Sequence, residues 1–221
     1  FVARGDKFQG FVKDMVAQVA KGEYADSEAL LAAPFVADAS VTVKEALDGV
    51  IATTGENMGL GKFAKMELAA GKSGLIGGYL HSNGKLAVLV EMQTGSDAAA
   101  ASEAFHEVAK NVAMQIAALN PRFWDKSQVS QDVLDEEKKI MMVQMENDPK
   151  MANKPEQVRE KIVMGKMNKF YEENCLLQQE FVKDNSMTVE KYIASAAKAL
   201  GGSVKFVDAV RFAKGEGIEK K

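Results

Sequence analysis

A chain of 221 residues is long enough for one large domain or two small ones, and 47% hydrophobic with 27% charged residues is the balance of an ordinary globular fold. The formal net charge is −3 with Lys and Arg spread along the chain, which removes the massed basic face that a general DNA or RNA binder sets against phosphates. No apolar run approaches the roughly 20 residues of a membrane helix, no signal pattern opens the sequence, and the lone Cys175 excludes an intrachain disulfide.

Residues 6–21 predict an amphipathic helix. Phe8, Phe11, Val12, Met15, Val16 and Val19 recur at helical spacing, with Asp6 at the start and Gly22 at the end. "DSEALLAAPF" reads as a short helical turn stopped by Pro34. "SVTVKEALDGVIATTGEN" carries a capping box, Thr42 to Glu45, and ends at Gly55. Period-2 alternation follows in "KFAKMELAA", "GLIGGYLH" and "GKLAVLVEMQ", the last two joined through Ser82-Asn83-Gly84, a strong hairpin signal. These three runs predict a three-stranded antiparallel meander.

A long helix begins near Ser96 or Asp97, carries Phe105, Val108, Val112, Ile116 and Leu119 as its stripe, and stops at "NPRFW". Residues 130–147 and 155–173 are charge-rich and helical, joined by "NDPKMANKP"; they predict an antiparallel helical hairpin whose apolar surface is largely Met141, Met142, Met145, Met164 and Met167. "CLLQQEFVKD" then reads as a strand and "MTVEKYIASAAKALGG" as a helix. "SVKFVDAVRFAKG" alternates, with Val204, Phe206, Asp208, Val210 and Phe212 on one face. The expected fold is α+β: two similar core subdomains, each a small antiparallel sheet with helices, plus the inserted coiled-coil hairpin. The expected boundaries are 1–95 for the first subdomain, 96–128 and 175–215 for the two parts of the second, 129–174 for the hairpin and 216–221 for a polar tail.

Chemistry-bearing motifs are sparse. "AAGKSG" has Met66 where a phosphate loop needs Gly, and a strand follows it where such a loop needs a helix. His81 and His106 lack partners at catalytic or metal-ligand spacing, and Cys175 sits beside Leu176 and Leu177 as a small core residue. No nucleophile, base and oxyanion site assembles, so neither enzyme, cofactor nor metal is expected. The chain reads as one that acts by binding.

Several segments, in order, resemble the elongation factor Ts family, nucleotide-exchange factors for elongation factor Tu. "FVARGDKF" is similar to the end of that family's "TDFVAR" segment, and "TTGENM" to its "GEN" helix end. "YLHSNGKLAVLVEM" resembles its central hairpin and "NVAMQIAALNP" its second core helix. "KIVMGKMNKFYEENCLLQQEFVKD" and "VRFAKGEGIEKK" resemble the exit from its coiled coil and its terminal strand and tail. The resemblance spans essentially the whole chain. It implies that Phe1 is the Phe of an Asp-Phe pair that pushes into the GTPase domain of elongation factor Tu. Val2, Leu86, Ala87, Met114 and Gln115 would support that contact, and Phe181 and Val182 would form a second surface for another domain of the partner. The acidic residue before Phe1 and a helical module that precedes it in the family are missing, which implies a truncated or processed chain. Gln115 stands where the family often has His, and Glu180 where Pro is common. The resemblance leaves open a structural or assembly role, with dimerisation or docking through the hairpin. It implies neither membrane nor direct nucleic-acid contact, and a bacterial cytoplasm or an organelle, the plastid stroma first among these.

Overall fold

The computed structural model describes residues 1–82 and 84–216 and, at Ala152, the backbone alone. The chain divides into two units, Phe1–Lys65 and Met66–Lys221. Asn83 of the predicted turn and residues 217–221 of the predicted tail lie outside the described residues. The fold is α+β.

In the first unit a 3-10 turn, Val2–Arg4, leads into α1 (Asp6–Lys21). The Asp26 side chain accepts from the Ala29 amide and starts α2 (Ser27–Ala32). Then β1 (Pro34–Phe35) and β2 (Asp38–Thr42) form a small antiparallel pair that the hydropathy pattern did not foretell. Thr42 caps α3 (Val43–Thr54) through the predicted box: its hydroxyl accepts from the Glu45 amide, while the Glu45 carboxylate accepts from the Thr42 amide at 2.7 Å. Gly55 closes the helix at φ 71°, a left-handed conformation that suits glycine. Met15, Leu30, Phe35 and Val43 form the buried centre, with Phe11, Tyr24 and Phe63 packed around it.

The predicted strand at 62–70 does not form. A strand exists only where its amides and carbonyls find a ladder, and among the described residues no strand pairs with 62–70.

In the second unit β3 (Ser73–His81) and β4 (Leu86–Thr94) make the predicted hairpin, and the sheet's third strand is β7 (Val204–Ala213) on the other side of β4. Ser73 thus leads into a strand, and no phosphate loop forms at 69–74. The predicted long helix is split into α4 (Asp97–Ala100) and α5 (Glu103–Leu119), because the Ser102 hydroxyl accepts from the Phe105 amide and starts a second helix there. Phe105, Val108, Val112 and Ile116 of α5 pack on Val88, Val90 and Met92 of β4. Gly77 permits the close approach: a Cβ there would stand 3.1 Å from the Ala109 Cβ.

Then come α6 (Gln131–Glu146), the short α7 (Pro149–Ala152) in place of the predicted plain turn, and α8 (Glu156–Asn174). Between α6 and α8, Met145, Val163, Met167 and Phe170 are buried, whereas Ile140, Val143, Val158 and Met164 face outward. The excursion closes at its base. The Asn174 carbonyl accepts from the amides of Arg122 and Phe123 at 2.9 and 3.0 Å, and the Leu176 amide donates to the Phe123 carbonyl at 2.9 Å.

The segment predicted as one strand from 175 folds instead as a 3-10 turn, Leu176–Gln178, followed by β5 (Glu180–Phe181), which pairs with β6 (Asp184–Thr188). Leu176 and Gln179 are both buried, and at a spacing of three a single strand would point them to opposite faces. Thr188 caps α9 (Val189–Ala199), the helix that the pattern predicts. The alternation of β7 is broken by a bulge. Glu91 pairs with Asp208 but Met92 with Phe206, leaving Val207 unpaired. One extra residue reverses the faces, so Phe206 and Ala209 are both buried while Phe212 points out.

Candidate functional site

Both units carry the same local arrangement, written in the sequence as "PFVADASVTV" at 34–43 and "EFVKDNSMTV" at 180–189, identical at six of ten positions. Each copy starts with an outward turn of chain that a buried glutamine clamps. In the first unit Gln18 of α1 donates from Nε2 to the Pro34 carbonyl at 3.0 Å and accepts from the Val36 amide at 2.6 Å. In the second, Gln115 of α5 donates to the Glu180 carbonyl at 3.0 Å and accepts from the Val182 amide at 2.8 Å. A primary amide presents one donor and one acceptor edge side by side, which matches a strand's carbonyl and the amide two residues on. The next element is an Asx turn: the Ser40 hydroxyl and amide bond Asp38, those of Ser186 bond Asp184, and both carboxyls are held below the usual range by these bonds. A threonine-capped helix completes each copy.

The expected contact residues fall into distinct settings. The Phe1 ring is fully exposed, and its carbonyl accepts from the Arg4 amide at 3.0 Å; Val2 is half-buried. Gln9 ties the same turn down by donating from Nε2 to the Ala3 carbonyl. Met114, half-buried on α5, precedes Gln115, which has no exposed surface at all. Leu86 and Ala87 are neighbours on β4 and therefore point to opposite faces of the sheet. Leu86 packs on the helical core, while Ala87 lies in a cross-strand row with Leu80 and Phe212, both exposed. Phe181 is buried, its ring stacked on Tyr192 at 4.1 Å and 16°, and Val182 is 44% exposed. Gln115, Phe181 and Val182 are thus brought together as a clamp, an anchor and a presented side chain.

Sequence reasoning missed the residues around this anchor. Asn111 Nδ2 donates to the Tyr192 hydroxyl at 2.7 Å, and Lys183 Nζ donates to Asn111 Oδ1 at 2.8 Å. Burial pushes the Tyr192 hydroxyl up from its ordinary value, against the Asn111 bond. Gln179, fully buried, accepts from Gln115 and donates to the Glu173 carbonyl. The signal that could have found them is the internal repeat, since it marks the positions around which each clamp is built. Of the two histidines, His81 pairs with the Tyr79 hydroxyl at 2.9 Å and His106 is exposed. Among the described residues no group of three or more His, Cys, Asp or Glu could hold a metal ion.

Cys175 packs under the base of the helical excursion, and burial, followed by the nearby Asp125 charge, pushes its thiol up to about 11. The folded state therefore holds the proton more tightly than the unfolded chain, whose thiol ionises near 9.0. The stability this contributes is complete below pH 9 and is lost as pH rises towards 11. Thermal unfolding midpoints between pH 8 and 10.5 are expected to fall more steeply for the native chain than for Cys175→Ala. Parallel slopes would contradict this assignment.

Comparison with known proteins gives one family. The family model for "Elongation factor TS" matches residues 1–216. The elongation factor Ts of Clostridium kluyveri is 41% identical over 221 residues, which is all of this chain and 69% of that protein. That of Trichlorobacter lovleyi is 42% identical over the same span, again 69% of its length, and that of Clostridium botulinum strain Alaska E43 is 42% identical over 68% of its length.

Proposed function

The chain belongs to the elongation factor Ts family, and on that premise we propose that it binds elongation factor Tu and promotes the release of GDP during translation elongation. A GTPase holds GDP through phosphate-loop amides and a Mg²⁺ ion bridging the phosphates. An exchange factor makes and breaks no covalent bond. It binds the empty GTPase more tightly than the occupied one, and linkage then requires that it weaken nucleotide binding by the same factor. A ligand indifferent to the two states shifts nothing.

The observation that carries this reading is the family match along residues 1–216, in which Phe1, by resemblance the family's inserted aromatic, sits on a turn that backbone and Gln9 hydrogen bonds brace. An aromatic carried on a braced turn gains from burial on insertion. We assign Phe1 as a wedge entering near the partner's Mg²⁺ and phosphate site, with Val2 beside it, and Ala87 and Met114 as separate contacts with the partner. Val182, held out by Gln115 and Phe181, is the second point of attachment, on another domain of the partner. The relatives named above are bacterial, and the cytoplasm is the compartment we propose, in place of a plastid.

Release of a fluorescent GDP from elongation factor Tu tests this. The chain is expected to accelerate release, and Phe1→Ala to cut the acceleration about thirtyfold, the effect of losing a hot-spot aromatic worth about 2 kcal/mol. Full activity in Phe1→Ala would remove the wedge; no acceleration by the native chain at any concentration would remove the exchange reading itself.

A further inference from the structure

We propose that a groove in the first unit, between α1 and α3, is a notch for a tyrosine side chain presented on a basic segment of a partner protein. The internal repeat supplies the template. In the second unit Tyr192 stands four residues after the cap Thr188, with its ring on Phe181, and its hydroxyl is met by Asn111, four residues before the clamp Gln115. In the first unit the same positions, counted from Thr42 and Gln18, are Ala46 and Asp14, with Phe35 in place of Phe181. The aromatic ring has become a methyl group. Beside Ala46 there is an open groove of about 370 Å³ lined by Phe35, by Phe11, whose ring packs on Phe35 at 5.9 Å, and by Val50, with Asp6 and Asp14 at its edge. Gly10 and Gly49 line it too, and a Cβ on either would meet nothing within 4 Å.

The chemistry of the edge selects the occupant. Asn111 can donate to a hydroxyl, as it does to Tyr192; a carboxylate can only accept, so the occupant must bring the proton. Asp14 is half-buried and makes no hydrogen bond or ion pair among the described residues. A phenol satisfies both features, stacking on Phe35 and donating to Asp14 in a charge-assisted bond. Two carboxylates against the single Lys7 leave the edge negative, which favours basic residues flanking that tyrosine. A second copy of this chain does not supply the ring. Its four tyrosines are all half-buried, and the hydroxyls of Tyr24, Tyr79 and Tyr192 already have partners. The notch stands apart from the exchange reading and does not require it.

The test is a heteronuclear NMR titration of the intact chain with p-cresol, with the peptide acetyl-Lys-Tyr-Lys-amide, and with its Phe counterpart. Saturable shifts confined to α1 and α3 around the groove are expected in the millimolar range, with the Tyr peptide binding several-fold more tightly than the Phe peptide. Asp14→Ala should erase that preference. Ala46→Tyr should abolish binding by filling the notch from within and should raise the unfolding midpoint. Gly49→Leu, reaching into the open groove without disturbing the core, should block binding too, so the test survives if Ala46→Tyr fails to fold. Shifts that are absent, scattered or non-saturating would overturn the proposal, as would equal binding of the two peptides or indifference to a folded blocking variant. A concentration-dependent dimer abolished by Ala46→Tyr would overturn it as well, in favour of a second copy as occupant.

Discussion

Gln115→Ala is expected to lower the stability of the second unit by about 3 kcal/mol, because it strands buried polar groups that nothing else can reach. The amide is fully buried and makes bonds to the Val182 amide, the Glu180 carbonyl and the Gln179 side chain, at 2.8, 3.0 and 3.2 Å. Alanine removes all three and leaves a cavity the size of the lost side chain. Each orphaned donor or acceptor costs about 1–3 kcal/mol, reduced where the loosened turn can rise into water. Gln115→Glu separates the contributions. It keeps an acceptor for the Val182 amide but sets an oxygen against the Glu180 carbonyl, so its penalty should shrink as the pH drops and the carboxyl protonates. Urea denaturation at pH 7 and pH 5 reads both variants. A loss below about 1 kcal/mol for Gln115→Ala would show that the clamp is incidental. By the function proposed above, the same variant should weaken partner binding although Gln115 itself touches nothing outside the chain, because Val182 would no longer be held in place.

Tyr192→Ala is expected to cost about 3–4 kcal/mol, the range for deleting a large, mostly packed aromatic. The ring stacks on Phe181 at 4.1 Å, and the hydroxyl is the partner of Asn111, which is itself buried. Tyr192→Phe keeps the stack and loses only the hydrogen bond, at about 1 kcal/mol. The ratio between the two variants is the informative quantity. If the phenylalanine variant were as damaging as the alanine one, the polar network and not the stack would be what holds β5 against α9. Equilibrium unfolding of both variants alongside the native chain decides it.

How much of this could be read from the sequence depended on whether the signal was local. Helices α1, α3 and α9 were legible because each has a stripe within its own few residues, and α3 a cap as well: the Thr42–Glu45 box needs no knowledge of the rest of the chain. The β3–β4 hairpin was legible for the same reason. The third strand of the sheet was not. "KFAKMELAA" alternates as well as β7 does, but alternation states only that a segment could line a surface, and strand formation depends on a ladder partner that may lie more than 100 residues away, as β7 does from β4. The bulge at Val207 was invisible for a related reason, since register is a property of two strands together. Among the contact residues, the family pattern pointed to positions but not to which way they face. Leu86 and Ala87 were adjacent in the motif and are divided by the pleat, and Gln115 and Phe181 prove to be interior. Polar residues such as Asn111, Gln18 and Gln179 carried no periodic signal, and the hydrogen-bond geometry reveals them as the scaffold of the turns that the internal repeat marks.

The closed base of the α6–α8 excursion has a mechanical corollary. Its outgoing and returning chains are cross-linked where they meet, so a displacement of the arm as a body acts first on the residues just beyond that link, Leu176 and Gln179. Those residues abut the seat of Val182. The arm is a handle whose root lies next to the turn that Gln115 clamps.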